Sequence, residues 1–161
     1  SEISLCRMGL TAHDATVLAE ILKSNTSLTK VVLFYNDKIG DEGAKALAEA
    51  LKVNATVEEL WLHKCGIGDD GAAALAEALR SNTTLTKLYL GGNENIRDEG
   101  AKALAEAVKV NATEEELYLE WCGIGDVGAA ALAVERTLLQ PEVELAIEEA
   151  REFVLLGVPD S

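Results

Sequence analysis

The chain repeats itself at two intervals, one nested in the other. Leu28-Thr-Lys-Val-Val-Leu33 returns as Leu85-Thr-Lys-Leu-Tyr-Leu90, and Val57-Glu-Glu-Leu-Trp-Leu62 returns as Glu114-Glu-Glu-Leu-Tyr-Leu119, each displaced by 57 positions (28 to 85 and 57 to 114). The interval divides into a 29-residue unit starting at Leu28 and a 28-residue unit starting at Val57, and then 29 and 28 again from Leu85 and Glu114. The longer unit places Asn after its leucines (Asn36, Asn93), the shorter places Cys (Cys65, Cys122). Units this short supply one strand and one helix, and neither can bury its apolar side without a neighbour. The chain is therefore expected to stack its units, with function on the surface that the stacked strands share.

The pattern L-x-x-L-x-L-x-x-(N/C)-x-L in alternating Asn and Cys forms resembles the ribonuclease-inhibitor class of leucine-rich repeats, also found in NOD-like receptors. The resemblance covers residues 1–137 and is carried by Ile39-Gly-Asp-Glu-Gly-Ala44, Cys65-Gly-Ile-Gly-Asp-Asp-Gly71 and Cys122-Gly-Ile-Gly-Asp-Val-Gly128. It implies an α/β fold, a solenoid bent into a horseshoe arc, with a parallel sheet on the concave side and helices on the convex side. Such a scaffold implies no particular chemistry.

Five units at 1–137 form one domain by size, and 138–161 read as a C-terminal capping segment. There the repeat fails at Leu138-Leu-Gln-Pro-Glu142, and Val143, Ile147, Ala150 and Val154 would line one helical face. A rival register places a sixth strand at Leu145-Ala-Ile147. Ser1 falls inside a strand segment with no signal peptide before it, so the chain reads as a fragment or a processed form.

A net charge of −14 disfavours nucleic acid, and no basic stripe overrides it. No apolar stretch is long enough for direct membrane insertion. Of three cysteines without C-x-x-C spacing, Cys65 and Cys122 suit buried repeat thiols and Cys6 falls on the concave side of the first strand; unpaired thiols suit a reducing, intracellular compartment, cytoplasmic by default. Four Asn-x-Ser/Thr sequons, at Asn25, Asn54, Asn82 and Asn111, recur just after each helix. The repeat explains them without glycosylation, on the expectation that Asn adopts the left-handed conformation that ends helices.

Strands are expected near Ile3–Leu5, Val31–Leu33, Leu60–Leu62, Leu88–Leu90 and Leu117–Leu119, with the leucines inward. Ala44, Leu47, Ala48 and Leu51 form the inward stripe of the second helix. Asp41, Asp69, Asp98 and Asp126 stand at helix starts, where a carboxylate can satisfy free N–H groups. Just before the first inward residue of each strand come Glu2, Lys30, Glu59, Lys87 and Glu116, which predicts a lateral ladder of alternating charge.

Next to the ladder runs an aromatic band: Val32, Trp61, Tyr89 and Tyr118 between the leucines, then Phe34 with Tyr35, His63 with Lys64, Gly91 with Gly92, and Glu120 with Trp121. Of the chain's seven aromatics only Phe153 lies outside it. Two readings follow. The rings stack along the sheet as framework, or Phe34, Tyr35, Trp61, His63, Lys64, Tyr89, Tyr118, Glu120 and Trp121 bind a protein partner, with Gly91 and Gly92 leaving a notch for close approach.

The leading functional expectation is a non-enzymatic recognition module. The alternative is a structural subunit embedded in a larger assembly. No nucleophile-and-base pairing, phosphate loop or metal-ligand spacing is apparent, so neither catalysis nor a cofactor is expected. His13 reads as a helix-side residue, and His63 as a concave residue with no assignable carboxylate partner.

Overall fold

The computed structural model of the chain describes residues 1–111, 113 and 116–135. Expectations for 138–161, capping helix or sixth strand, lie outside the described residues. Strands and helices alternate: β1 (Glu2–Ser4), α1 (Ala12–Ser24), β2 (Lys30–Val32), α2 (Gly40–Leu51), β3 (Glu59–Trp61), α3 (Asp69–Ser81), β4 (Lys87–Tyr89), α4 (Asp98–Val110), β5 (Glu116–Tyr118) and α5 (Asp126–Glu135). The strands form one parallel sheet in chain order, and each helix packs on the next. The chain is thus an α/β leucine-rich repeat solenoid.

Each strand starts and stops one residue earlier than the leucines alone indicate. The ladder does not end there, since Leu33, Leu62 and Leu90 donate their N–H groups to Trp61, Tyr89 and Tyr118 carbonyls at 2.8–2.9 Å. Register pairs Glu2 with Lys30, Lys30 with Glu59, Glu59 with Lys87 and Lys87 with Glu116. Below the sheet Leu33, Leu60, Leu62, Leu88 and Leu90 meet Leu47, Leu75 and Leu104 from the helices, all essentially without solvent exposure. Each such side chain contributes about 1.5–3 kcal/mol. The stripe Ala44, Leu47, Ala48 and Leu51 is buried throughout, and its alanines let successive helices approach.

The units are locked by polar side chains that reach backward and forward along the stack. The Asn36 carbonyl oxygen accepts from the Met8 and Leu10 N–H groups at 3.0 Å, while its amide donates to the Leu5 and Leu33 carbonyls. Asn93 repeats this with Cys65, Ile67, Leu62 and Leu90. Cys65 and Cys122 make only the donor half: their thiols point at the Leu33 and Leu90 carbonyls at 3.3 and 3.4 Å. At this turn position an Asn side chain therefore bonds its predecessor as both donor and acceptor, and a Cys side chain as a weak donor only. Burial pushes both thiols up to about 12. Cys65 is fully buried, Cys122 half-buried.

The sequon asparagines act through their side chains and not through a left-handed backbone. Asn25, Asn82 and Asn111 are extended, with φ of −76°, −74° and −91°. Asn82 donates to the Leu51 carbonyl at 2.7 Å and accepts from the Thr84 and Leu85 N–H groups; Asn54 does the same with Leu22, Thr56 and Val57. Asn54, Asn82 and Asn111 are buried, so an amide that closes the turn and joins two units is not presented for modification.

The aspartates at the helix starts also differ from expectation. Asp41 Oδ1 accepts from Gly68 and Gly71 N–H at 2.7 and 2.9 Å, which are at the start of α3 and not of its own helix α2. Asp69 does this for α4 through Arg97 and Gly100, and Asp98 for α5 through Gly125 and Gly128. A carboxylate at the positive end of a helix is stabilising whichever helix it comes from. Here each cap is also a bond between units. Helix α1 instead carries its own capping box, Thr11 with Asp14.

Candidate functional site

The concave surface is built in rows, because equivalent residues of successive units lie side by side. The first row is the charge ladder. Lys30 Nζ stands 3.9 Å from Glu2 and 3.5 Å from Glu59, and Lys87 Nζ 3.0 Å from Glu116. The second row, Val32, Trp61, Tyr89 and Tyr118, leans on the first. Trp61 Nε1 donates to Glu59 Oε2 at 3.1 Å and the Tyr118 hydroxyl to Glu116 Oε2 at 2.5 Å, while Lys30 Nζ sits 4.5 Å above the Trp61 ring. The Tyr118 hydroxyl, and after it Lys87, holds the Glu116 carboxyl below its ordinary value. Burial, followed by that same bond, pushes the Tyr118 phenol well up.

Rings in the second row pack in succession, Trp61 tilted by 35° on Tyr89 and Tyr89 stacked on Tyr118. Trp61 and Tyr89 centroids are 4.3 Å apart, as are those of Tyr89 and Tyr118, the latter pair parallel to within 4°. Such pairs add about 0.5–1.5 kcal/mol each beyond their buried area. Val32 is buried rather than part of an open band. Trp61, Tyr89 and Tyr118 thus form a half-buried framework along the sheet.

The third row is Cys6, Phe34, His63, Gly91 and Glu120. His63 Nε2 lies 2.9 Å from Glu120 Oε1, two units away. The residue between them is Gly91, where an added Cβ would fall 2.4 Å from Glu120 Oε1 and 2.9 Å from His63 Cδ2. The expected notch at Gly91 is therefore filled by the chain's own residues, and His63 has a carboxylate partner after all. At Gly92 the space is taken by the Lys64 stem, whose Cγ would lie 2.5 Å from an added Cβ.

The fourth row is the turn that leaves each strand: Arg7, Tyr35, Lys64, Gly92 and Trp121. All five adopt left-handed backbone, with φ of 56°, 61°, 48°, 71° and 58°. This conformation costs a non-glycine residue about 1–2 kcal/mol. Gly92 shows that the turn closes without a side chain, so Tyr35, Lys64 and Trp121 are kept at a local cost. Such strain concentrates at functional sites. Tyr35 is 43% exposed and Trp121 49%. The Arg7 guanidinium lies 4.5 Å from the Tyr35 ring centroid and Lys64 Nζ 5.3 Å.

Rows three and four enclose a groove of about 570 Å³ lined by Phe34, Tyr35, His63, Lys64, Gly91, Gly92, Glu94, Glu120 and Trp121. Six of the nine residues expected at the site line it. Trp61, Tyr89 and Tyr118 lie outside it, as the stacked floor of the neighbouring row. Glu94 was not expected; its only signal in the sequence is that it follows Asn93 where the Cys units have Gly66 and Gly123. His13 is exposed on α1, away from the groove. Among the described residues no group of three or more His, Cys, Asp or Glu could hold a metal ion, and no helix is long and apolar enough to cross a membrane.

Comparison with known proteins accords with the geometry. The leiomodin-1 domain described as Actin-Binding Site 2 is 23% identical with a TM-score of 0.66, over 94% of this chain and 83% of that one. The tropomodulin C-terminal domain of Caenorhabditis elegans is 17% identical with a TM-score of 0.69, over 97% of this chain and 87% of that one. At these identities the likeness is one of fold. A comparison with curated proteins finds no match. The family model described as Leucine Rich repeat matches residues 24–48, 53–76, 81–105 and 115–133, more than half of the chain and in register with the observed units. The chain belongs to the leucine-rich repeat family.

Proposed function

We propose that this domain is a non-enzymatic recognition module that docks a partner protein in the concave groove between Tyr35 and Trp121. The observation that carries this reading is the fourth row: two large aromatics, each more than 40% exposed, held in backbone that costs stability and that glycine would relieve. Exposed Trp and Tyr are the side chains most enriched among interface anchors. The packed, hydrogen-bonded aromatic row beside them keeps the platform rigid, so little ordering entropy opposes docking. The leiomodin domain of similar fold is described as an actin-binding site, which supports protein binding as the kind of work this scaffold does. The alternation of Asn and Cys units favours the ribonuclease-inhibitor class within the family. Three unpaired thiols fit a reducing, intracellular setting.

The test begins with a partner recovered by affinity purification. Trp121→Ala is expected to weaken that complex about 30-fold or more, corresponding to roughly 2 kcal/mol, with the folded state intact. Trp61→Ala should lower stability, since Trp61 packs on Tyr89 and bonds Glu59, and affinity through Phe34 and His63, the groove residues its ring lies against. If both variants bind as tightly as the parent, the concave groove is not the interface.

A further inference from the structure

The cations of this acidic chain are distributed unevenly. On the helix faces and in the charge ladder they are paired with carboxylates: Lys45 with Glu42 at 2.8 Å, Lys52 with Glu49 at 2.6 Å, Lys87 with Glu116 at 3.0 Å. Among the described residues no carboxylate lies within ion-pairing distance of Arg7, Lys38, Lys64 or Arg97. All four stand between a strand and the following helix; Lys64 lines the groove and Arg7 meets it at Tyr35, while Lys38 and Arg97 are not among the lining residues. Arg7 and Lys64 converge on one ring, Tyr35, at the first end of the groove. A cation against an aromatic face keeps its N–H donors available to an incoming carboxylate.

The other end has the opposite character. Glu94 lines the groove there, is exposed, and has no ion pair or side-chain hydrogen bond among the described residues. Beside it stands the ring of Trp121, 49% exposed. The second carboxylate, Glu120, is taken by His63. The groove is therefore basic at Tyr35 and acidic at Trp121, with Phe34 and the His63–Glu120 pair between. Equivalent residues of adjacent units are about 4.8 Å apart, so two or three unit spacings separate the ends by roughly 10–14 Å. An extended peptide covers that in three or four residues at about 3.3 Å each.

Resting on the concave-docking reading above, we infer that the groove selects an extended segment of the partner protein bearing an acidic residue and, three or four positions away, a basic one. The acid sits between Arg7 and Lys64 over Tyr35, and the base between Glu94 and Trp121. A uniformly acidic or uniformly basic segment meets repulsion at one end, so the groove reads a charge pair and its spacing rather than net charge.

The experiment is selection of displayed linear peptides on the full chain and on Lys64→Glu and Glu94→Lys, each first verified as folded by circular dichroism. The parent should enrich peptides with Asp or Glu three or four positions from Lys or Arg. Lys64→Glu should abolish the acidic preference and Glu94→Lys the basic one, and a parent-selected peptide should bind each variant at least tenfold more weakly by fluorescence anisotropy. Enriched peptides without the charge pair, or a charge pair that neither substitution moves, overturns the inference. If those same peptides are lost on Trp121→Ala, docking in the groove stands without this selectivity. Enrichment indifferent to Trp121→Ala, or no enrichment at all, removes both.

Discussion

His63 and Glu120 are 57 positions apart and hydrogen-bonded at 2.9 Å across the backbone of Gly91. The contact skips a whole unit, which is possible only because that unit has no side chain at this position. Gly91→Ala should therefore split the pair and destabilise the domain by about 1–2 kcal/mol in urea unfolding. In a Glu120→Ala background the same substitution should cost markedly less. Additive losses in that double-mutant cycle would show that Gly91 serves some other purpose.

Asp69 gives a prediction that separates a cap on its own helix from a cap on the next. Asp69→Ala removes the acceptor for Arg97 and Gly100 N–H, at about 1–2 kcal/mol. Amide hydrogen exchange should then rise in the first turn of α4 and not in that of α3. Faster exchange confined to α3 would contradict the inter-unit bond.

The thiols should differ sharply in reactivity. Cys65 is fully buried and its thiol is pushed up to about 12, so at pH 8 almost no thiolate is present. A bulky disulfide reagent should label half-exposed Cys6 in the folded protein and reach Cys65 only on unfolding. For a thiol the raised folded value favours the neutral folded state. Its stabilising contribution is full below the unfolded thiol value and disappears as pH rises through about 12.

Acid sensitivity should trace to Glu116. Its carboxyl is held below the ordinary value, first by the Tyr118 hydroxyl and then by Lys87. A depressed carboxylate contributes stability above its unfolded value, and that contribution fades as pH falls through the folded value. Tyr118→Phe should shrink the loss of stability between pH 5 and pH 3 in chemical denaturation. An unchanged acid limb would mean that Glu116 is set by Lys87 alone.

The aromatic band divides into parts that the sequence could not separate. Trp61, Tyr89 and Tyr118 are framework, stacked and bonded to the ladder, while Tyr35 and Trp121 stand out from the turns. Both groups follow a leucine by one or two positions, so spacing alone assigns them to one surface. The left-handed φ of Tyr35 and Trp121 is what distinguishes them, and no residue type announces it when Arg7, Lys64 and Gly92 share the same turn.

The sequence by itself determined the unit, the sheet order, the inward leucines and the alternating ladder from Glu2 to Glu116, because each follows from a local period and from stacking identical units in register. Only the tertiary structure decided which helix Asp41, Asp69 and Asp98 cap, that the sequon amides close turns in extended backbone, and that His63 and Glu120 fill the gap over Gly91. These depend on distances between side chains a full unit or more apart. Periodicity places such residues in rows, but only packed coordinates set which neighbour each polar group reaches.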